Sequence, residues 1–113
     1  MTKIISYKYF KNVDIRVGTI ISAQENYKLK KPSIILEIDF GKEIGIKKSS
    51  AQLTKNYKSD DLIKKQVAAV VNFGTKQIGN LVSEVLVLGF PDDHNEAIIV
   101  EPNKLVPNGG KLY

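Results

Sequence analysis

Cysteine is absent from this 113-residue chain, and so is tryptophan. Without thiols the chain forms no disulfide bond and no thiolate metal site, so its fold depends on an apolar core. Residues 1–8 include lysine and tyrosine and lack the apolar stretch of a signal peptide, and no later segment approaches the length of a membrane span. The sequence therefore predicts one cytoplasmic domain over residues 1–113, without membrane insertion.

Groups that carry catalysis are scarce as well. His94 is the only histidine, and it lies in the polar segment 91–95, which is typical of an exposed turn. A general base needs an oriented partner in a pocket, and no carboxylate pair has a histidine or a further acid at metal-ligand spacing. Neither a phosphate-binding glycine–lysine loop nor a nucleophile-elbow motif occurs. We expect a protein that is not an enzyme and that holds no metal or cofactor.

Arginine is nearly absent too. Arg16 is the single arginine among 17 basic residues, which face 12 acidic residues and leave a net charge of +5. A positive surplus attracts polyanions, so nucleic acid is a candidate partner. Lysine-rich surfaces also serve solubility, and bidentate phosphate recognition usually employs arginine. Composition leaves both interpretations open, as it does for Arg16, which either pairs with Asp14 or binds phosphate.

Alternation with a period of two is the clearest structural signal. Apolar residues recur at every second position of segment 34–40, as in a strand with one face in the core. Further strands are predicted at 16–23, 44–48, 66–73, 85–90 and 97–100, with a turn at 41–43, a bulge or bend at Gly18, and a helix within 50–64 with Ser59 as its N-cap. This order predicts an all-β fold, a five-stranded Greek-key OB-fold barrel with short helices.

Two of these strands, 66–73 and 85–90, carry apolar residues on both faces. A single small barrel has too little interior to bury them all. The surplus predicts a subunit interface, and therefore a homodimer.

Four segments have a more specific pattern: residues 14–18, 46–52, 71–79 and 83–90. In these the chain resembles the tRNA-binding-domain family of OB-folds, and the resemblance runs from about Phe10 to Leu112. Within that family it is most similar to the CsaA branch of secretion-associated chaperones, through segments 45–52, 83–90 and 106–109. The resemblance implies a homodimer that binds either the corner of tRNA through polar residues at the barrel rim or, as in the CsaA branch, unfolded or pre-export polypeptides in apolar pockets.

The resemblance also implies ligand-binding residues. The family's asparagine after the fourth strand corresponds to Asn72 and its following serine to Ser83, while the serine after the third strand corresponds to Ser49 or Ser50. Lys76 lies beside the position of a later basic residue. These side chains offer donors and acceptors to RNA or peptide, although Asn72 and Ser83 are equally suited to binding nearby backbone groups.

Departures from the family pattern bear on the choice of ligand. Gly74 and Thr75 stand where the tRNA-binding pattern has a basic residue and a proline, Gln77 takes the later basic position, and Leu86 replaces a methionine. These differences favour a chaperone over a protein that binds tRNA or structured RNA, which is the second hypothesis. A purely structural interaction module is the third. For a client polypeptide we expect an apolar groove formed by Phe73, Ile78, Leu81 and Val82, which in a monomer would line the underside of a loop.

Overall fold

The computed structural model describes residues 2–28 and 30–113, and most of its regular structure is β-strand. In chain order the elements are α1 (Tyr7–Asn12), β1 (Ile15–Asn26), β2 (Ser33–Asp39), α2 (Gly41–Ile44), β3 (Ile46–Ala51), α3 (Ser59–Leu62), β4 (Gln66–Val70), β5 (Lys76–Ile78), β6 (Leu81–Ser83), β7 (Leu86–Val87), β8 (Gly89–Pro91) and β9 (Ala97–Ile99). Among the described residues, no helix is both long and apolar enough to cross a membrane.

Five of the strands form one antiparallel sheet in the order β3-β2-β1-β4-β7. The long strand β1 joins its two halves, because residues 15–19 pair with β4 and residues 19–26 pair with β2. A register shift between Ile20 and Ser22 bends β1 and lets the sheet curl. The result is a curled half-barrel, which confirms the predicted all-β OB-fold architecture. β5–β6 and β8–β9 form two additional hairpins.

The core lies inside this curled sheet. Ile34, Leu36, Ile38 and Phe40 are at most 1% exposed, as their alternation predicted. Gly18 faces them, and a Cβ atom there would lie 2.6 Å from Ile38 Cγ2. Gly18 therefore allows close packing between β1 and β2. Of the predicted bulge or bend, the bulge does not lie at this residue, since the register shift lies further along β1.

Two other local predictions hold only in part. The predicted helix within 50–64 is confined to α3, since Ala51 still pairs with Ile34 in the sheet. Ser59 is the first helical residue rather than the cap, and the cap position, Lys58, makes no side-chain capping bond. The predicted turn at 41–43 is the single helical turn α2, and the strand after it starts two residues later than expected.

The predicted strand 85–90 is divided into β7 and β8. Leu88 lies between them: its N–H donates to the Ala68 carbonyl, and its own carbonyl accepts from Val100 N–H. Val85 is buried, whereas the Leu86 side chain is 49% exposed. The segment thus has one buried apolar side chain beside one that is half exposed, and the homodimer inferred from its two apolar faces stays a prediction.

The C-terminal residues form hydrogen bonds with the first part of β1, which β2 does not reach. Gly109 N–H donates to Val17 O at 2.8 Å, Val17 N–H to Gly110 O at 3.1 Å, and Leu112 N–H to Ile15 O at 2.8 Å. Gly109 has φ +91°, and a Cβ atom there would lie 2.5 Å from the Phe40 carbonyl oxygen. Only glycine fits this position, which gives a structural reason for the motif at 106–109.

Candidate functional site

The hairpin of β5 and β6 carries most of the candidate ligand residues. Lys76 lies opposite Ser83, Gln77 opposite Val82, and Ile78 opposite Leu81. The two-residue turn Gly79–Asn80 joins the strands, and Gly79 has φ +60°, as the first central position of a type II′ turn requires. This hairpin was not predicted from the sequence, although a glycine–asparagine pair between short apolar segments is a recognised signal for one.

Strand alternation separates the four residues of the expected apolar groove. Ile78 and Leu81 form a cross-strand pair, are half-buried, and share a face with Lys76 and Ser83. Val82 is on the opposite face of the hairpin and is 43% exposed. Phe73 precedes the hairpin and is 66% exposed. The structure therefore brings Ile78 and Leu81 together and places Val82 on another side.

A group of serines connects the hairpin to β3. Ser83 Oγ accepts a hydrogen bond from Ser50 N–H at 3.1 Å and donates one to the Val85 carbonyl at 3.4 Å. Ser50 Oγ in turn donates to Ser33 Oγ at 3.1 Å. Ser49 is only 1% exposed, whereas Ser50 is half-buried. Both candidate serines lie within β3, and of the two Ser50 is the one that a ligand can approach.

Asn72 lies at a different place and uses both ends of its amide within the protein. Its Oδ1 accepts from Asp14 N–H at 2.9 Å, and its Nδ2 donates to the Asn12 carbonyl at 2.8 Å. The side chain thereby connects the end of β4 with the segment that leads into β1. No hydrogen bond between described residues connects Asn72 to the serines or to Lys76. A ligand at this amide must share or replace a backbone partner.

Glu84, which no sequence pattern singled out, pairs with Lys48 on β3. Its N–H donates to the Lys48 carbonyl at 2.8 Å, and its carboxylate accepts from Lys48 N–H at 3.0 Å. Together with Ser83 it contacts the outer edge of β3, where a closed barrel would have a further strand. These bonds join residues 33 and 36 positions apart, so no local pattern could have indicated them.

Arg16 is occupied inside the protein. Its Nε donates to Asp14 Oδ1 at 2.6 Å and its Nη1 to the Gly109 carbonyl at 2.9 Å. The hydrogen bond to Asp14 raises the pKa of Arg16 above its usual value. Of the two interpretations of Arg16, pairing with Asp14 or binding phosphate, the ion pair with Asp14 is the one that the structure contains. The only other salt bridge among described residues joins Lys65 and Glu101 at 3.9 Å, so the other described lysines have no acidic partner.

The segment around His94 is a turn organised by Asp92. Asp92 Oδ1 accepts from the N–H groups of His94 and Glu96 at 2.8 and 3.0 Å, and its Oδ2 accepts from Asn56 Nδ2 at 3.0 Å. The hydrogen bond from Glu96, followed by those from Asn56 and His94, lowers the pKa of Asp92. The His94 side chain is exposed. In the part of the chain that the structure describes, no group of histidine, cysteine or acidic residues is arranged to hold a metal.

An apolar cavity of about 390 Å³ opens on the outer face of β1 and β4, beneath the C-terminal residues. Outward-facing apolar side chains of both strands line it together with the tail: Ile15, Val17, Ala68, Pro102, Val106, Pro107, Leu112 and Tyr113. Beside it, α1 buries none of its residues, and a second cavity separates Tyr7 and Phe10 from Leu112 and Tyr113.

Two solved structures of chaperones are similar to this chain in fold and in sequence. The chain is 43% identical to the chaperone CsaA of Bacillus anthracis, with a TM-score of 0.92 over 98% of this chain and all of that one. It is 45% identical to the CsaA chaperone protein of Picrophilus torridus, with a TM-score of 0.89 over 97% of this chain and all of that one.

Among curated proteins the chain matches methionine–tRNA ligases. It is 34% identical over 101 residues to the ligase of Methanococcoides burtonii and 32% identical over 108 residues to that of Pyrococcus horikoshii. These matches cover 89% and 96% of this chain but only 14% of each ligase, so the chain spans a small part of the length of these relatives. The family described as "Putative tRNA binding domain" matches residues 15–111, and the chain belongs to this family of tRNA-binding-type OB-folds.

Proposed function

We propose that this protein is a homodimeric, non-enzymatic chaperone that holds unfolded or export-bound polypeptides in the cytoplasm. The observation that carries this proposal is the two-way coverage of the CsaA chaperones, which match nearly all of this chain and are themselves matched over their whole length. The ligases share only a seventh of their length with it, so their catalytic activity has no counterpart in this domain.

Exposed apolar side chains support a role in holding polypeptides. An unfolded client presents apolar side chains on an extended backbone, and burying them needs an apolar surface with a few polar anchors. The hairpin face offers Ile78 and Leu81 for burial, with the exposed Lys76 as a polar anchor on the same face, while the buried Ser83 holds the hairpin to β3. Phe73, just before the hairpin, is 66% exposed and adds apolar area. Val82 faces the other way and contributes to a different surface.

The apolar outer face of β1 and β4 supports the homodimer. A cavity of about 390 Å³ with this lining leaves apolar area in water, at about 25 cal/mol for each Å² that a partner would cover. Tyr7 and Phe10 of α1 lie beside the same face, and neither side chain is buried. A second copy of the same chain, related by a two-fold axis, would cover this apolar surface.

A second candidate function, binding of tRNA, is favoured by the family match and by the many lysines without an acidic partner among the described residues. Phosphate contacts release counterions, so such binding weakens steeply as salt is added. Binding of apolar clients depends on burial and responds far less to salt. Titration of the intact protein with tRNA and with an unfolded client at low and moderate salt therefore separates the two functions.

The decisive experiment is affinity purification of the intact protein from native extract, with separate identification of bound RNA and bound polypeptide. We expect polypeptides, and suppression of the aggregation of a chemically unfolded client by the purified protein. Recovery of tRNA without polypeptide, together with no effect on client aggregation, would favour the second function over the first.

A further inference from the structure

The two edges of the half-barrel approach each other without pairing, and a cavity lies in this seam. β3 and β7 are the edge strands of the five-stranded sheet, and no β-bridge joins them in residues 2–28 and 30–113. The cavity between them has a volume of about 290 Å³. Its main lining comes from Ser50, Ala51 and Gln52 at the end of β3, from Leu86 and Val87, and from Glu96 in the turn before β9.

A main-chain group of β3 points into this seam. The N–H groups of Lys48 and Ser50 donate away from β2, to Glu84 Oε1 and Ser83 Oγ. The N–H and C=O of one strand residue project to the same side, so the Ser50 carbonyl also faces the seam. It accepts no hydrogen bond from the described residues.

The opposite edge is similar. Leu88 N–H donates to the Ala68 carbonyl on β4 at 3.0 Å. Because successive residues of a strand direct their main-chain groups to opposite sides, Val87 turns its N–H and C=O away from β4 and toward the seam. Strand edges with free donors and acceptors are where an extended polypeptide adds its own backbone hydrogen bonds.

The negative charge at the rim of the seam cavity favours a peptide over a nucleic acid as its ligand. Ala51, Leu86 and Val87 form the apolar part of the cavity wall, while Glu96 lies at its rim and Asp93 is exposed on the same turn. Neither carboxylate forms a salt bridge with a described residue. On a chain with net charge +5, this local acidic rim repels phosphate and attracts a lysine or arginine side chain.

We propose that this seam binds an extended polypeptide segment that places an apolar side chain in the cavity and a basic side chain beside Glu96. The main chain of the segment forms hydrogen bonds with the free groups of Ser50 and Val87. This inference rests on the proposed chaperone function and specifies the class of client segment: extended, apolar and basic. The seam adjoins the hairpin through Ser83, so a long client contacts both places.

The test uses the intact protein and a short fluorescent peptide of alternating leucine and lysine, with binding measured by fluorescence anisotropy. A second peptide has glutamate in place of lysine, and a third has N-methylated backbone amides. We expect Leu86→Asp to weaken binding of the first peptide at least about tenfold, and N-methylation to do the same. Glu96→Lys should weaken the lysine peptide and strengthen the glutamate peptide.

Ile98→Asp is the matched control, since Ile98 is 40% exposed and pairs with Phe90 on the outer side of the β8–β9 hairpin. It should leave the affinity unchanged. If Leu86→Asp does not fold, Glu96→Lys still tests the proposal, because Glu96 is partly exposed and its substitution should leave the fold intact. Full affinity in both Leu86→Asp and Glu96→Lys, with loss in Ile78→Asp, overturns the seam and leaves the chaperone function with the hairpin as its site. If the unmodified protein binds none of the peptides and protects no client, both proposals fail.

Discussion

Glu84 pairs with Lys48 as a strand neighbour would, except that one of the two hydrogen bonds comes from a side chain. Its N–H donates to the Lys48 carbonyl at 2.8 Å, and its carboxylate accepts from Lys48 N–H at 3.0 Å. Ser83 supplies the next bond along the same edge, to Ser50 N–H. Side chains thus close part of the barrel where β3 and β7 do not pair. The rest of the seam stays open, which leaves main-chain groups available to a ligand.

Removing the Glu84 carboxylate should therefore loosen the barrel. Glu84→Ala deprives Lys48 N–H of its acceptor and should lower the free energy of unfolding by about 1 kcal/mol. Glu84→Gln is the matched control, because its amide oxygen still accepts from Lys48. Denaturant titration of the three proteins measures the difference. Equal stability of the alanine and glutamine variants would mean that water replaces the carboxylate at no cost.

Asn72→Ala should destabilise the fold whether or not the protein binds RNA. The substitution removes the bonds to Asp14 N–H and to the Asn12 carbonyl, and should cost about 1–2 kcal/mol. Asn72→Asp keeps the acceptor for Asp14 but loses the donor, so its stability should be intermediate at most. Thermal unfolding and tRNA titration are measured on the same samples. Unchanged stability together with a marked loss of tRNA affinity would make Asn72 a ligand contact instead.

Substitution of the two adjacent glycines in the tail should lower the stability of the protein to different extents. Gly109→Ala places a Cβ atom against the Phe40 carbonyl at a residue with φ +91°, and should cost more than about 1 kcal/mol. Gly110→Ala is the control, because its nearest neighbours are 3.8 Å away and its φ is not positive. Calorimetry compares the two variants. Similar stability of both would mean that the tail is not anchored through Gly109.

A charge on the apolar outer face should prevent dimerisation. Ala68 lines the cavity between β1, β4 and the tail, so Ala68→Arg would place a guanidinium where a second copy is expected. Gln24→Arg adds the same charge at an exposed position near the far end of β1. In sedimentation at micromolar concentration we expect a monomer for Ala68→Arg and a dimer for Gln24→Arg. A dimer for both would place the interface elsewhere.

Client protection should depend on one face of the β5–β6 hairpin. Ile78→Asp or Leu81→Asp introduces a charge into the half-buried apolar pair and should abolish suppression of client aggregation while the dimer persists. Val82→Asp places the same charge on the opposite face and should protect clients normally. Light scattering of a denatured client reports the activity, and sedimentation the assembly. Full protection by the Ile78 and Leu81 variants as dimers would move the client site away from the hairpin.

The period-two pattern of segment 34–40 determined β2 and its buried face without any tertiary information. A strand with one face against the core must alternate, so Ile34, Leu36 and Ile38 could be assigned to that core from the sequence. The family and the OB-fold barrel could be inferred in the same way, because the motifs at 45–52, 83–90 and 106–109 are continuous in the sequence. The turn at Asp92 was similarly local, since all but one of its hydrogen bonds join residues within four positions.

What only the tertiary structure decided depends on residues far apart in the chain. Arg16 reaches Gly109 across 93 positions, and Ser83 reaches Ser50 across 33. Such contacts arise when the curled sheet brings its edges together, and no local periodicity encodes which edge groups stay unpaired. The same reason explains why Val82 separates from Ile78 and Leu81: an apolar run predicts burial, but the Gly79–Asn80 turn, by setting the register of β5 against β6, decides which face each side chain occupies.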